Sequence, residues 1–275
     1  MIHDATRCAL GEGPLWHPER KTLYWFDILG KKLLTSGKHW QFDDYVSAAG
    51  WVDRDRMVMA SQHALWLFNL ETGTRDRLCD LEADNPVTRS NDGRADPQGG
   101  FWIGTMGIEA EEKAGAIYRY YRGTLRKLFG DLTITNAICF APDGKSAYFT
   151  DTTTAMIMKV GLDAEGWPVG APGLHIDLRG TGLNPDGAVV DAQGNLWNAQ
   201  WGASRVAAYR PDGNYLTHVS FAGKQTSCPA FGGPDLSTLF CTTAAVGLPE
   251  DATDEGRTYA TETGYRGQAE HRVLL

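Results

Sequence analysis

Short apolar runs alternate with polar turns along the whole chain, and no stretch sustains the 3.6-residue apolar period of an amphipathic helix. One phrase recurs: a Pro or Asp, a brief polar turn, then a strand-like apolar run. It reads HPERKTLYWFDI at 17–28, VDRDRMVMA at 52–60, DPQGGFWIGTM at 96–106, APDGKSAYFTDT at 141–152, DAQGNLWNAQ at 191–200 and GGPDLSTLFCTTA at 232–244. The turn residues Pro18, Asp53, Asp96, Pro142, Asp191 and Pro234 are spaced by 35 to 49 residues, the length of one four-stranded propeller blade. Six phrases predict an all-β fold, a six-bladed β-propeller, built as one domain over residues 1–275. Further strands at hairpin distance are read in LWLFN at 65–69, AIYRY at 116–120 and RVAAY at 205–209.

The physical basis is that a lone four-stranded sheet cannot bury both faces, whereas six arranged radially pack face to face. A doubly wound sheet would need helices between the strands, and turns stand there instead. A sandwich does not account for six copies of one phrase. The polar stretch PEDATDEGRTYATETG at 249–264 reads as a reach between strands of the last blade, and QAEHRVLL at 268–275 as a final strand. A terminal strand pairing with material from the other end of the chain is expected to close the ring.

Composition narrows the function classes. Hydrophobic residues make up 42% and charged residues 22%, enough apolar material for a core. The 32 glycines, beside 9 Trp, 10 Tyr and 10 Phe, suit short strands joined by tight turns. A net charge of -8 with scattered basic residues argues against a nucleic-acid partner. No apolar run approaches the roughly 20 residues of a membrane span, and residues 1–15 hold no secretory h-region. The five cysteines, Cys8, Cys79, Cys139, Cys228 and Cys241, lie far apart with no CxxC, which predicts unpaired thiols in a reducing cytoplasm. A monomer or weak homo-oligomer is expected.

Candidate chemistry lies just before the strand phrases, where a propeller's loops enter its channel. Glu12 in GEGP, Asn136 in TNAICF and Asp186 in NPDGAVV each precede their own turn residue by five or six positions. Asn91 in RSNDG lies five before Asp96, with Arg89 beside it. Four blades would thus turn two carboxylates and two amides toward one axis. Carboxylates gathered in a narrow channel repel one another unless protonated or neutralised by a cation. Oxygen-only ligation suits Ca²⁺, Mg²⁺ or Mn²⁺, and zinc is less characteristic without His or Cys. Taken singly, each residue could equally make an Asx-turn. The matched register across blades favours a shared site. Trp16, Trp25, Trp102 and Trp197 read as inter-blade packing, and Trp201 as either packing or channel wall. The chain holds no GxSxG or HExxH motif.

GEGPLWHPERKTLYWFDI, RSNDGRADPQGGFWIGTM, TNAICFAPDGKSAYFTDT and NPDGAVVDAQGNLWNA together resemble the SMP-30, gluconolactonase and luciferin-regenerating-enzyme family over residues 8–245. The resemblance implies a six-bladed propeller with one divalent cation, Ca²⁺ or Zn²⁺, in a central metal-binding channel, and hydrolysis of a small-molecule sugar lactone. It puts the metal ligands on Glu12, Asn136 and Asp186. Arg89 and Asn91 then fall where substrate contacts lie, and Glu109 corresponds by offset to an acidic substrate contact. Asp186 is the candidate to activate water. This chain reads TNA where many members read SNG, so Ala137 follows the candidate ligand in place of glycine. Two other readings stand beside lactone hydrolysis: a propeller that only binds a ligand or protein, and a hydrolase of other esters or organophosphates with a more apolar channel mouth. Arg89 together with Glu109 would favour hydroxyl-rich substrates.

Overall fold

The computed structural model describes residues 1–275. Six four-stranded antiparallel sheets stand around a central channel as the blades of a β-propeller; there is no α-helix, and one 3-10 turn spans Thr152–Thr154. The innermost strands, in chain order, are Gly11–His17, Val46–Trp51, Thr88–Ala95, Thr135–Phe140, Asn184–Val190 and Thr226–Gly232. Blades are numbered below in that order.

All six sequence phrases mark the same feature, the hairpin between a blade's first and second strands. The Asp residues act there as caps. Asp96 Oδ1 accepts from the N–H groups of Gln98 and Gly100 at 2.9 and 2.8 Å, and Asp191 Oδ1 from those of Gln193 and Asn195, each at 2.9 Å. Side chains of this type satisfy turn donors that the ladder leaves free.

Six buried apolar clusters hold the ring together, one between each pair of neighbouring blades. Trp102 and Trp197 are fully buried at matching positions, each the second residue of its blade's second strand, while Trp25, also fully buried, lies in the cluster between blades six and one. Trp102 meets Phe140 edge-on at 5.4 Å and Trp197 meets Phe231 at 5.6 Å, so each ring packs against the next blade. Trp16 stacks on Phe240 across the seam between blades one and six.

The ring closes through the N-terminus. Strand Ile2–Asp4 pairs with Thr258–Glu262 as the outer strand of blade six, so both ends of the chain build one sheet. The expectation of a final strand at 268–275 is corrected: these residues form no strand. They cross the far end of the channel instead. Gln268 Nε2 donates to the Phe140 and Val190 carbonyls, Glu270 pairs with Arg94, and the Val273 and Leu274 N–H groups donate to the Trp51 and Gly99 carbonyls. Each blade's sheet is already complete at four strands, so the tail finds its partners at the strand ends of blades two to five. In the stretch 249–264, residues 249–257 reach from the second strand of blade six toward the third, and the remainder holds that third strand, Thr258–Glu262.

Candidate active site

Each innermost strand breaks its pairing register near its start. The breaks fall between Glu12 and Leu15, Val46 and Ala48, Ser90 and Gly93, Asn136 and Cys139, Pro185 and Ala188, and Thr226 and Pro229. A β-bulge leaves residues out of the ladder and re-aims side chains. Glu12 and Asn136 are the last paired residues before their bulges, while Asn91 and Asp186 are the first residues inside theirs. Four blades therefore deliver polar side chains to one level of the channel.

The bulge demands a left-handed backbone after the first two of these residues. Gly13 has φ +52°, and a Cβ there would lie 2.3 Å from the Ser47 carbonyl oxygen. Ala137, the equivalent position in blade four, adopts φ +56° without being glycine. The departure from SNG thus keeps the backbone and accepts a strained residue, at a cost of roughly 1–2 kcal/mol.

Arg89, Asn91, Asn136, Glu12 and Asp186 all line one cavity of about 500 Å³, within the range of small-molecule sites. Trp201 lines it too. Apolar residues make up half the wall, among them Leu10, Leu29, Met106, Ile108, Ile134 and Val246. Glu109 is not part of it. The strand Phe101–Gly107 ends in a turn closed by the Ala110 N–H on the Gly107 carbonyl, which leaves Ile108 at the wall and Glu109 exposed outside.

Electrostatics on the cavity floor are severe. Glu12, Asp92 and Asp186 are 4%, 4% and 5% exposed. Burial, the Glu12 charge and then the Asp92 charge push the Asp186 carboxyl well above the carboxylate range, and burial and Asp92 raise Glu12 likewise. Burial lifts Asp92 to about 6, even though its Oδ2 accepts from the Ile138 N–H at 2.7 Å. Arg89, 5% exposed, is lowered to about 10 by burial against the pull of Glu12. Its Nη1 donates to Asn91 Oδ1 at 2.8 Å and to the Ser90 carbonyl at 2.9 Å.

Glu12, Asp186 and Asn136 form an oxygen donor set suited to a hard divalent cation, and the mutual repulsion of the two carboxylates is the cost such an ion would remove. No group of three His, Cys, Asp or Glu gathers as a metal cluster, so the set depends on amide oxygen.

Some residues that shape the site carry no obvious signal in the sequence. Asp27 and Asp151 end the second strands of blades one and four and clamp the segments entering the site. Asp27 accepts from the Ala9, Leu10 and Gly30 N–H groups, and Asp151 from those of Thr133 and Ile134. Their shared position in FDI and TDT was the available clue. Thr152, next to Asp151, touches Asn136 directly: Asn136 Nδ2 donates to Thr152 Oγ1 at 3.0 Å.

The sequence profile described as the SMP-30/Gluconolactonase/LRE-like region matches residues 10–245. The chain belongs to this family. Among solved structures, a calcium-binding protein, regucalcin, from Agrobacterium tumefaciens str. C58 superposes with a TM-score of 0.97 at 40% identity, over 100% of this chain and 97% of that one. A Rhizobium meliloti (strain 1021) protein with the provisional name sugar lactone lactonase is 40% identical over 97% of this chain and 94% of its own. The L-arabinolactonase of Azospirillum brasilense is 34% identical over 97% and 93%. The SMP-30/gluconolactonase match begins at Leu10, two residues before Glu12, and ends just after the second strand of blade six, so it spans every bulge described above. All five cysteines are free, and no helix is long and apolar enough to cross a membrane.

Proposed function

We propose that this protein hydrolyses a sugar lactone, an aldonolactone of the glucono-, arabinono- or xylono- type, to the aldonic acid, with one divalent cation held by Glu12, Asn136 and Asp186. The observation that carries the reading is the convergence of these three side chains with Arg89 and Asn91 on one buried cavity floor in a family whose named relatives include lactonases. Ca²⁺ fits the oxygen donors best and agrees with the calcium-binding description of the regucalcin structure; Zn²⁺, Mg²⁺ and Mn²⁺ are the ions to compare. The unpaired thiols fit the cytoplasmic setting expected from their spacing.

Hydrolysis of a cyclic ester builds negative charge on the carbonyl oxygen. A bound cation would polarise that carbonyl and lower the pKa of nearby water. Asp186 then serves as the base that draws the proton from the attacking water, because it is the carboxylate inside its bulge. Arg89 presents the donors left free by Asn91 and Ser90 to substrate hydroxyls or carbonyl. Asn91 spans Arg89 and Asn136 and holds both in register. The mechanism requires no covalent nucleophile.

One observation favours a second reading. Half the cavity wall is apolar and Glu109 stands outside it, so less polar esters or organophosphates suit the mouth better than the sequence suggested. A panel of aldonolactones, aryl esters and phosphotriesters, assayed by proton release on cation-stripped protein reloaded with each ion, separates the two. Hydrolysis of aldonolactones only with cation supports the proposal. Turnover of the apolar esters alone transfers the function to the second reading, and no turnover with any ion leaves a binding propeller.

A further inference from the structure

We infer that Thr152 is a positioning residue for the cation: its hydroxyl fixes which end of the Asn136 amide faces the channel axis. The inference rests on the proposed cation site and extends it to a residue outside the ligand set.

The argument follows donors and acceptors whose polarity is fixed. A backbone carbonyl only accepts and a guanidinium only donates, whereas an amide has one end of each kind. Thr152 Oγ1 donates to the Pro185 carbonyl at 2.7 Å. Its single proton is spent there, so toward Asn136 it can only accept. Asn136 must therefore turn Nδ2 to Thr152, as it does at 3.0 Å. The opposite end of the amide is fixed from the other side. Arg89 Nη1 takes Asn91 Oδ1, so Asn91 Nδ2 faces the Thr135 carbonyl at 2.9 Å and Asn136 Oδ1 at 3.1 Å. Two independent chains, one starting at a carbonyl and one at a guanidinium, give Asn136 the same orientation. That orientation leaves Oδ1 with a lone pair for a cation and keeps Nδ2 engaged on Thr152.

Thr152 is itself held in place. Its N–H donates to the Ile134 carbonyl at 2.9 Å, and it opens the 3-10 turn that Asp151 caps through the Thr153 N–H. Because Pro185 precedes Asp186, the same hydroxyl also ties blade four to blade five beside the second ligand. Partners one shell behind a metal ligand set its orientation in this way, and their loss costs roughly 10–100-fold in affinity.

The test is calorimetric titration of Ca²⁺ into cation-stripped full-length wild type, Thr152→Val and Thr152→Ser. Valine keeps the shape and deletes the hydroxyl, and should weaken binding roughly 10–100-fold. Serine restores the hydroxyl and should return affinity near wild type. Wild-type affinity in Thr152→Val, or a serine variant as weak as the valine one, overturns the inference. An Asn136→Asp background separates orientation from scaffolding, since a carboxylate has no wrong end. Thr152→Val should matter little there, and an equal loss in both backgrounds also overturns it. Should the wild type bind none of Ca²⁺, Mg²⁺, Mn²⁺ and Zn²⁺, the cation site itself falls, a result distinct from the others.

Discussion

The crowding of carboxylates on the cavity floor makes a prediction about stability that needs no substrate. Glu12 and Asp186 are nearly inaccessible; burial and the Asp92 charge push Glu12 up to about 8, and burial and the Glu12 charge raise Asp186, so in the cation-free protein Glu12 keeps its proton at neutral pH. In the unfolded chain both ionise at ordinary values, near pH 4. A carboxyl whose folded pKa is raised contributes stability that is present below the unfolded value and is lost as pH rises through the folded value. One proton taken up on folding gives a slope of about -1.4 kcal/mol per pH unit. At this chain length that corresponds to a Tm falling by about 3–6 °C per pH unit. Histidines such as buried His17 and half-buried His271, whose pKa values are lowered by burial, tilt the curve the other way below about pH 6.5. Buried thiols such as Cys139 add their own loss at alkaline pH. The measurement is therefore a difference: thermal unfolding of wild type and Glu12→Gln in chelator from pH 6.5 to 7.5. Histidines and thiols are common to both chains, so their slopes cancel. Glutamine removes the titrating carboxyl, and its curve should be flatter than wild type by most of that slope; Ca²⁺ should flatten the wild-type curve as well. Parallel curves would mean that Glu12 does not hold its proton at neutral pH and that burial raises it less than its surroundings imply.

Asp186→Asn, assayed at saturating cation, should lower kcat by about 100-fold or more, the range of a lost general base, and a wild-type rate would remove Asp186 from that role. Arg89→Met keeps the stem but deletes the donors, and steady-state kinetics should show mainly a raised KM for an aldonolactone. Asp96→Asn leaves fully buried Arg119 without its counterion at 2.6 Å, and denaturant unfolding should report a loss of about 3–5 kcal/mol. Ala137→Gly relieves a left-handed alanine at roughly 1–2 kcal/mol, but gives up about 0.8 for its buried methyl and 0.4–1 in chain entropy. Its unfolding midpoint should therefore stay close to wild type, and a large loss would show that the methyl packs better than its surroundings suggest.

What could be read in the sequence follows from how local each feature is. The hairpin phrases were legible because turn chemistry is local: Asp96 and Asp191 cap N–H groups two and four residues on, so each repeat carries its own signature. The shared register of Glu12, Asn136 and Asp186 was legible for the same reason, since each stands five or six residues before its turn. Glu109 was assigned by offset against the family's acidic substrate contact, and the turn closing on Gly107 leaves it exposed and outside the cavity lining. The tail at 268–275 has the alternation of a strand, yet pairing needs a free edge, and the short N-terminal strand had already taken the one in blade six. Thr152 was invisible because its two partners lie far along the chain, Asn136 16 residues away in the same blade and Pro185 33 residues away in the next.

The two ends of the innermost strands have opposite fates, and this asymmetry bears on how the site can vary. At one end the bulges hold polar side chains out of the ladder, and the cavity opens there. At the other, the tail seals the channel with Glu270 on Arg94 and with backbone bonds to the Trp51 and Gly99 carbonyls. The cavity lined by Glu12, Asn136 and Asp186 thus lies at the end away from the tail. Residues on the floor are fixed by bonds between blades: Asn91 reaches from blade three to Thr135 and Asn136 in blade four, and Thr152 from blade four to Pro185 in blade five. A change at any of them is felt by its neighbours, which ties the chemistry to the ring as a whole. The rim is different. Leu29 and Val246 lie in connections beyond the strands, are 37% and 40% exposed, and take part in none of these bonds. The rim can change side chain without disturbing the floor, which is where one propeller would admit different lactones or esters while keeping one way of activating water.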